Sequence, residues 1–170
     1  FQMLANLGLV PATNKQYGKR EVALMWNTTA RYECRWVNLK TESNKCIWTR
    51  NIKTLLTPVA HGEGNLYTTP EILQNLKDND QLVFTYTKPD GTPANGEFPH
   101  NPNGAMEDIA ALTDPSGRIL GIMPHPERFH CFTNHPDWTR IKEELKRKGE
   151  PLPEEGEGMK LFRNAVEYFA

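Results

Sequence analysis

Apolar residues along this chain alternate with polar ones or form short runs, and glycine, proline or asparagine separates each stretch from the next. This pattern is typical of short strands joined by turns. It predicts strands at residues 21–26, 31–39, 81–87, 108–112 and 118–123, an apolar run at 55–60, and a weaker strand at 45–52. The sequence Asp-Pro-Ser-Gly separates the last two strands in the chain, so we expect them to pair as a hairpin.

Four other segments have the spacing of helices. Residues 1–7 place Leu4 and Leu7 on the face of Phe1, with Gly8 as a stop. The other three helices are predicted at 70–79, where Thr69 can cap the first turn, at 138–148, which is amphipathic and highly charged, and at 159–169, whose apolar residues have core spacing. Residues 92–106, rich in proline, glycine and asparagine, are predicted to form a long loop, and such loops are often functional.

His125 directly follows the apolar run at 118–123 and lies between Pro124 and Pro126. Each proline fixes its own φ and disfavours a helical residue before it, so His125 is expected to be extended. Residues two apart in an extended segment point to the same side, which places the Glu127 carboxylate near the imidazole. An acid–base histidine needs such a partner to fix its tautomer and stabilise its charged form. The alternative is a rigid exit from a strand, with both polar groups in solvent.

Composition narrows the function classes. The 170 residues are 38% apolar and 24% charged, a balance typical of one globular, soluble domain. The net charge of −1 argues against a nucleic-acid or anionic-membrane surface, and no apolar run approaches the ~18 residues of a membrane span. Three cysteines at irregular spacing fit a reducing cytoplasm, where we expect the protein to reside.

Two other kinds of site were weighed. His125, His130, Cys131 and His135 are of the types that bind zinc, but their spacing is not that of a closed site, and no metal is expected. Cys131 with a nearby histidine is a possible nucleophile, although it follows no sharp strand-to-helix turn that would expose the thiol and lower its pKa. We favour the His125–Glu127 pair over both.

Five motifs occur in order along the chain. They are Phe-Gln-Met-Leu at 1–4, Arg-Tyr-Glu-Cys-Arg-Trp-Val at 31–37, Ala-His-Gly-Glu-Gly at 60–64, Asn-Pro-Asn-Gly at 101–104 and Met-Pro-His-Pro-Glu-Arg at 123–128. With these motifs the chain resembles the glutamine amidotransferase component of phosphoribosylformylglycinamidine synthase, of de novo purine biosynthesis. The last motif alone resembles any triad-type (class I) amidotransferase, whereas those at 60–64 and 101–104 are typical of this branch.

The resemblance implies a flavodoxin-like α/β fold with a mixed, mostly parallel sheet flanked by helices. It also implies a Cys-His-Glu triad, in which a thiolate attacks the carboxamide carbon of glutamine and ammonia leaves with a proton from the histidine. Water then hydrolyses the thioester, with the same histidine as base. By their place in the motif, the histidine is His125 and the carboxylate is Glu127.

The nucleophile of this family lies in a Cys-Asn-Gly-Phe-Gln turn, and this sequence begins at the Phe-Gln. The resemblance therefore places the cysteine three residues before Phe1. None of the three cysteines in the sequence has the position to replace it. We expect residues 1–170 to be the C-terminal portion of a single amidotransferase domain.

The resemblance also implies substrate contacts and a partner. The implied contacts are Gln2, the best candidate, the weaker Arg31 and Tyr32, and His61 and Glu63, which line the site or face the synthetase. Ammonia must reach a synthetase, as a subunit or a fused domain, that uses ATP and Mg on formylglycinamide ribonucleotide, while this domain itself needs no cofactor. The alternative function is that of a non-catalytic fragment or remnant that only docks to a synthetase.

Overall fold

The computed structural model describes all 170 residues and contains seven strands and four helices. The strands are β1 (Val22–Trp26), β2 (Glu33–Thr41), β3 (Thr54–His61), β4 (Glu63–Thr68), β5 (Leu82–Thr87), β6 (Ile109–Thr113) and β7 (Leu120–Ile122). The helices are α1 (Gln2–Asn6), α2 (Pro70–Asp78), α3 (Trp138–Lys148) and α4 (Met159–Phe169). No helix is both long and apolar enough to cross a membrane.

Five strands form the main sheet in the order β3-β2-β5-β6-β7, and β1 pairs with β4 in a separate two-stranded sheet. The α/β class is confirmed, but every strand pairing is antiparallel, so the predicted mostly parallel sheet is wrong for these residues. Parallel neighbours need a crossover of about a dozen residues or more, usually a helix. Here α2 is the only α-helix between two strands. It connects β4 of the small sheet to β5 of the main sheet and does not join two neighbouring strands of one sheet.

The core lies around β6, whose five residues are all buried. The strand pairs with β5 on one side and with β7 on the other, as the predicted hairpin requires. Phe84 and Tyr86 of β5 and Leu39 of β2 are also completely buried. The strand that leads to His125 is therefore anchored directly on the most buried part of the protein.

The helix predictions are confirmed, because the apolar spacing within each segment is that of a helix. The observed bounds of α3 and α4 are those predicted, and α2 ends one residue early. Thr69 caps α2 as expected, its Oγ1 accepting a hydrogen bond from the Ile72 N–H at 3.3 Å.

The predicted weak strand at 45–52 is wrong, since Ile47–Thr49 form a short 3-10 helix. The N–H groups of Asn44 and Lys45 both donate to Asp80 Oδ2 at 3.0 Å. Backbone N–H groups that donate to a carboxylate cannot also donate to a neighbouring strand. Hydrogen bonds of this kind, from backbone to side chain, favour a turn. The local sequence contains no sign of Asp80, which lies far along the chain.

β4 has no counterpart among the predicted strands, and it follows β3 after a single residue, Gly62. Glycines on both sides of Glu63, as in the His-Gly-Glu-Gly motif, are typical of a turn. In the structure the chain turns at Gly62 and extends again at Glu63, which pairs with Trp26 of β1. The motif is therefore held between two sheets.

Candidate functional site

His125 is fixed by backbone hydrogen bonds from two directions. Before it, the Met123 N–H donates to the Ala110 carbonyl of β6 at 3.0 Å. The His125 N–H itself donates to the Pro58 carbonyl of β3 at 2.7 Å. With φ of −110° and ψ of 78°, His125 is non-helical, as the flanking prolines predict. The imidazole is thus presented from a backbone that has little freedom to move.

The His125 side chain makes the hydrogen bond that the sequence predicts, from Nδ1 to Glu127 Oε1 at 2.6 Å. An ionised carboxylate only accepts hydrogen bonds, so Nδ1 carries the proton and the lone pair of the neutral ring is on Nε2. The imidazole is 37% exposed, which leaves Nε2 open to a substrate. The pair has the arrangement of an oriented general base; its catalytic role stays a prediction.

The segment after His125 is not extended as predicted, because Pro126–Arg128 form a short 3-10 helix that begins with a proline. This turn, which carries Glu127, is supported from the C-terminal segment. Gly158 N–H donates to the Phe129 carbonyl at 3.1 Å, and Gly156 N–H donates to the His130 carbonyl at 2.9 Å. A Cβ at position 158 would overlap the Pro126 carbonyl oxygen, so only glycine allows this approach. The residues just before α4 therefore lie directly against the backbone that holds His125 and Glu127.

The first residues of the chain pack on β7, the strand that leads to His125. The Phe1 ring lies so close to Gly121 that a Cβ there would overlap it. Gln2, which begins α1, donates from Nε2 to Glu63 Oε2 at 3.2 Å. The structure thus brings together two of the predicted substrate contacts, Gln2 and Glu63.

His61 is buried at the end of β3, and it is held by a residue that the sequence analysis missed. Its Nδ1 lies 3.1 Å from Asn27 Oδ1. Asn27 also donates from Nδ2 to the carbonyls of Arg31 and His61, both at 2.8 Å, and accepts from the Gly64 N–H at 3.1 Å. Burial lowers the pKa of His61, and the nearby His125 lowers it further.

Asn27 lies outside the predicted strands, and nothing local to it indicates that residues 61–64 lie alongside. The Asn-Pro-Asn-Gly motif proves to be more than a turn. Asn101 and Asn103 are both buried, and the Asn103 Nδ2 donates to the hydroxyl of Tyr86 at 3.0 Å. Buried asparagines with satisfied amides fix the long loop against the core.

Arg31 and Tyr32, the weaker predicted contacts, lie just before β2 and are exposed. No hydrogen bond joins either side chain to His125 or Glu127, and Arg31 forms no ion pair. The Tyr32 ring lies beside Gly62, as does that of Trp26, with ring atoms 4.0 and 3.9 Å from the position of a Cβ at that glycine. The strand predicted at 31–39 begins only at Glu33, so Arg31 and Tyr32 lie outside it.

A model of the CobB/CobQ-like glutamine amidotransferase domain matches residues 1–169. The chain belongs to this family.

Among the relatives of this amidotransferase domain is a Methanococcus maripaludis protein named phosphoribosylformylglycinamidine synthase subunit PurQ, 47% identical over 99% of this chain and 62% of that protein. A Dehalococcoides mccartyi protein of the same name is 41% identical, over 99% of this chain and 60% of its own length. The chain thus spans about three fifths of these relatives. The structure of PurLQS from Thermotoga maritima contains a chain with a similar fold, at a TM-score of 0.64 and 23% identity, covering 99% of this chain and 58% of that one.

No cysteine and no other histidine of the amidotransferase domain forms a hydrogen bond with the side chain of His125 or Glu127. Burial raises the pKa of the Cys46 thiol, which makes it a poor nucleophile. His130 and His135 are directed to nearby backbone, Nδ1 of His130 to the Glu127 carbonyl at 3.3 Å and Nδ1 of His135 to the Asp137 N–H at 2.9 Å. No group of three or more His, Cys, Asp or Glu side chains is placed to hold a metal ion.

The Asn27 network predicts a large loss of stability in the amidotransferase domain when its amide is removed. Asn27→Ala leaves two carbonyls, one N–H and one imidazole nitrogen without a partner, so the free energy of unfolding should fall by about 2–4 kcal/mol. Denaturant titration measures the change. Asn65→Ala, in β4, is the matched control, since that side chain makes no hydrogen bond. An equal, small effect for both variants would contradict the assigned network.

Proposed function

We propose that the protein hydrolyses glutamine and passes the ammonia to a synthetase that converts formylglycinamide ribonucleotide to formylglycinamidine ribonucleotide. The observation that carries this proposal is the 2.6 Å hydrogen bond between His125 Nδ1 and Glu127 Oε1, on a chain that belongs to an amidotransferase family. The names of its relatives, subunits of phosphoribosylformylglycinamidine synthase, support the choice of synthetase. Free thiols throughout the chain support a reducing cytoplasm.

The nucleophile in this proposal is a cysteine of a Cys-Asn-Gly sequence directly preceding Phe1. The contact of Phe1 with Gly121 supports this placement, because Gly121 lies on the strand that leads to His125. Three extended residues span at most about 10 Å, so such a cysteine starts close to that strand. Gln2, next along the chain, is then well placed to contact the glutamine substrate.

In the first half-reaction His125 Nε2 takes the proton of the cysteine thiol, and the thiolate sulfur bonds to the carboxamide carbon. The C–N bond then breaks, and the nitrogen takes that proton from Nε2 to leave as ammonia. In the second, His125 Nε2 accepts a proton from water, whose oxygen bonds to the thioester carbon. The C–S bond then breaks, giving glutamate and restoring the thiolate. Throughout, the Glu127 carboxylate holds Nδ1–H and stabilises the imidazolium.

The proposed partner is a synthetase, as a subunit or a fused domain, which binds the ATP and Mg of the second reaction. Exposed aromatic residues beside the candidate site support a docking surface there. Trp26 is 71% exposed and Tyr32 is 67% exposed, and both rings lie close to Gly62. Aromatic side chains are enriched at the centres of protein interfaces. A synthetase seated on this pair would be next to His61 and Glu63.

The test is glutamate release from glutamine by the full-length protein in complex with the synthetase. Glu127→Gln keeps an oxygen that can accept from His125 Nδ1 but removes the charge, so kcat should fall about a hundredfold or more. Glu143→Gln, an exposed residue of α3 without a side-chain hydrogen bond, is the control and should leave kcat unchanged. A wild-type complex that assembles but releases no glutamate would favour the non-catalytic docking function instead.

A further inference from the structure

His61 Nε2 is buried and has no hydrogen-bond partner. Only 6% of the residue is exposed, so bulk water does not solvate this nitrogen. An unpaired polar atom in such a position is costly, and in a native site it commonly marks the place of a ligand or an ordered water. His61 ends β3, the strand whose Pro58 carbonyl accepts the His125 N–H at 2.7 Å.

The chemical character of this nitrogen follows from the contacts of Asn27. Its Nδ2 donates to two backbone carbonyls, and its Oδ1 accepts from the Gly64 N–H, so the orientation of the amide is determined. Because Oδ1 can only accept, the proton of His61 is on Nδ1, 3.1 Å away. The unpartnered Nε2 is therefore a lone pair, and it can bind only a hydrogen-bond donor.

The surroundings keep this lone pair available. Burial lowers the pKa of His61, which favours the neutral ring. The backbone just beyond it, at Gly62, is flanked by the exposed rings of Trp26 and Tyr32. His61 thus shares β3 with Pro58, which binds the His125 backbone, and directly precedes the glycine beside the proposed docking surface.

We propose that His61 Nε2 accepts an N–H of the ammonia released at His125 and holds it on its way to the synthetase. The proposal rests on the proposed function, which produces ammonia as the donor. Ammonia is useful to a synthetase only as the unprotonated nucleophile. The Nε2 of neutral His61 carries a lone pair and no proton, so it can bind ammonia without converting it to ammonium.

Two substitutions separate the ammonia contact from the structural contact. In His61→Asn, the amide nitrogen replaces Nδ1 and can still donate to Asn27, but no atom replaces Nε2. In His61→Gln, the longer side chain places an oxygen acceptor near the Nε2 position and gives up the donation to Asn27. A merely structural role therefore predicts that the Gln variant is the more damaged of the two.

The experiment measures two rates in the full-length protein with its synthetase: glutamate released from glutamine, and formylglycinamidine ribonucleotide formed. We expect His61→Asn to lower the ratio of product to glutamate by about threefold to tenfold, the value of one hydrogen bond. His61→Gln should keep the wild-type ratio within about twofold. With saturating ammonium chloride in place of glutamine, all three proteins should form product equally fast.

Three outcomes would overturn the proposal. An unchanged ratio in His61→Asn would mean that Nε2 holds no ammonia. A raised KM for glutamine at an unchanged ratio would assign the lone pair to the carboxamide of the substrate. A lower ratio in the Gln variant alone would make the role structural. Failure of the proposed function itself looks different, because the wild-type complex would then release no glutamate.

Discussion

Glutamate release by the full-length protein is expected to fall by about a thousandfold or more in His125→Ala, while the fold survives. General acid–base catalysis by one positioned side chain contributes about 10²–10⁴-fold, and members of a triad fail together. In the proposed mechanism His125 acts in both half-reactions, so its removal takes the proton carrier from acylation and from hydrolysis. Its side chain is partly exposed and its backbone hydrogen bonds remain in alanine, so stability should change little.

His130→Ala is the matched control for this prediction. His130 lies in the same segment, but its only side-chain hydrogen bond is between Nδ1 and the Glu127 carbonyl, at 3.3 Å. Its loss should leave kcat within about twofold of wild type, and circular dichroism should be alike for both variants. Wild-type turnover in His125→Ala would end the triad assignment.

A polypeptide limited to residues 1–170 is expected to release no glutamate from glutamine, whereas the same chain preceded by an upstream half ending in Cys-Asn-Gly should be active. The covalent route needs a thiolate beside His125, and neither His125 nor Glu127 can replace it. Cys46 is buried with a raised pKa, and Cys34 is exposed on β2, where its register partner is Ala60. The measurement is a glutamate assay of both polypeptides at equal concentration.

Two variants sharpen this comparison. In the longer polypeptide, changing the upstream cysteine to serine should abolish release, while Cys131→Ser should leave it unchanged. Clear activity from the shorter polypeptide would refute the assignment of the nucleophile, and Cys131 would become the residue to test.

The geometry of the His125–Glu127 pair could be predicted because it depends on neighbours in the sequence. Two prolines keep the backbone of His125 out of the helical region, and Glu127 is only two residues away. The predicted contact is present, but Glu127 reaches the imidazole from a 3-10 helix at Pro126–Arg128 and not from an extended chain. The amphipathic helices α3 and α4 were predictable for the same reason. Each of these features is local, so a single sequence contains all that determines it.

The features that sequence reasoning missed depend on partners far along the chain. Asn27 holds residues 61–64, and Asp80 turns the backbone near residue 45, but neither relation leaves a local pattern. The parallel sheet was expected from the resemblance and not from the strands themselves. The connections between the strands are compatible with antiparallel neighbours, and β4 was concealed by the glycines on either side of Glu63.

Residues near Gly158 support the turn at His125, and they are synthesised after it. A ribosome releases His125 and Glu127 well before it releases residues 156–158, because chains emerge from the N-terminal end. Until then the Phe129 and His130 carbonyls lack the two N–H groups that hold the turn. A nascent chain would thus have every proposed acid–base residue outside the ribosome without the scaffold to align them. Hydrolysis of glutamine would begin only on chains complete enough to dock α4.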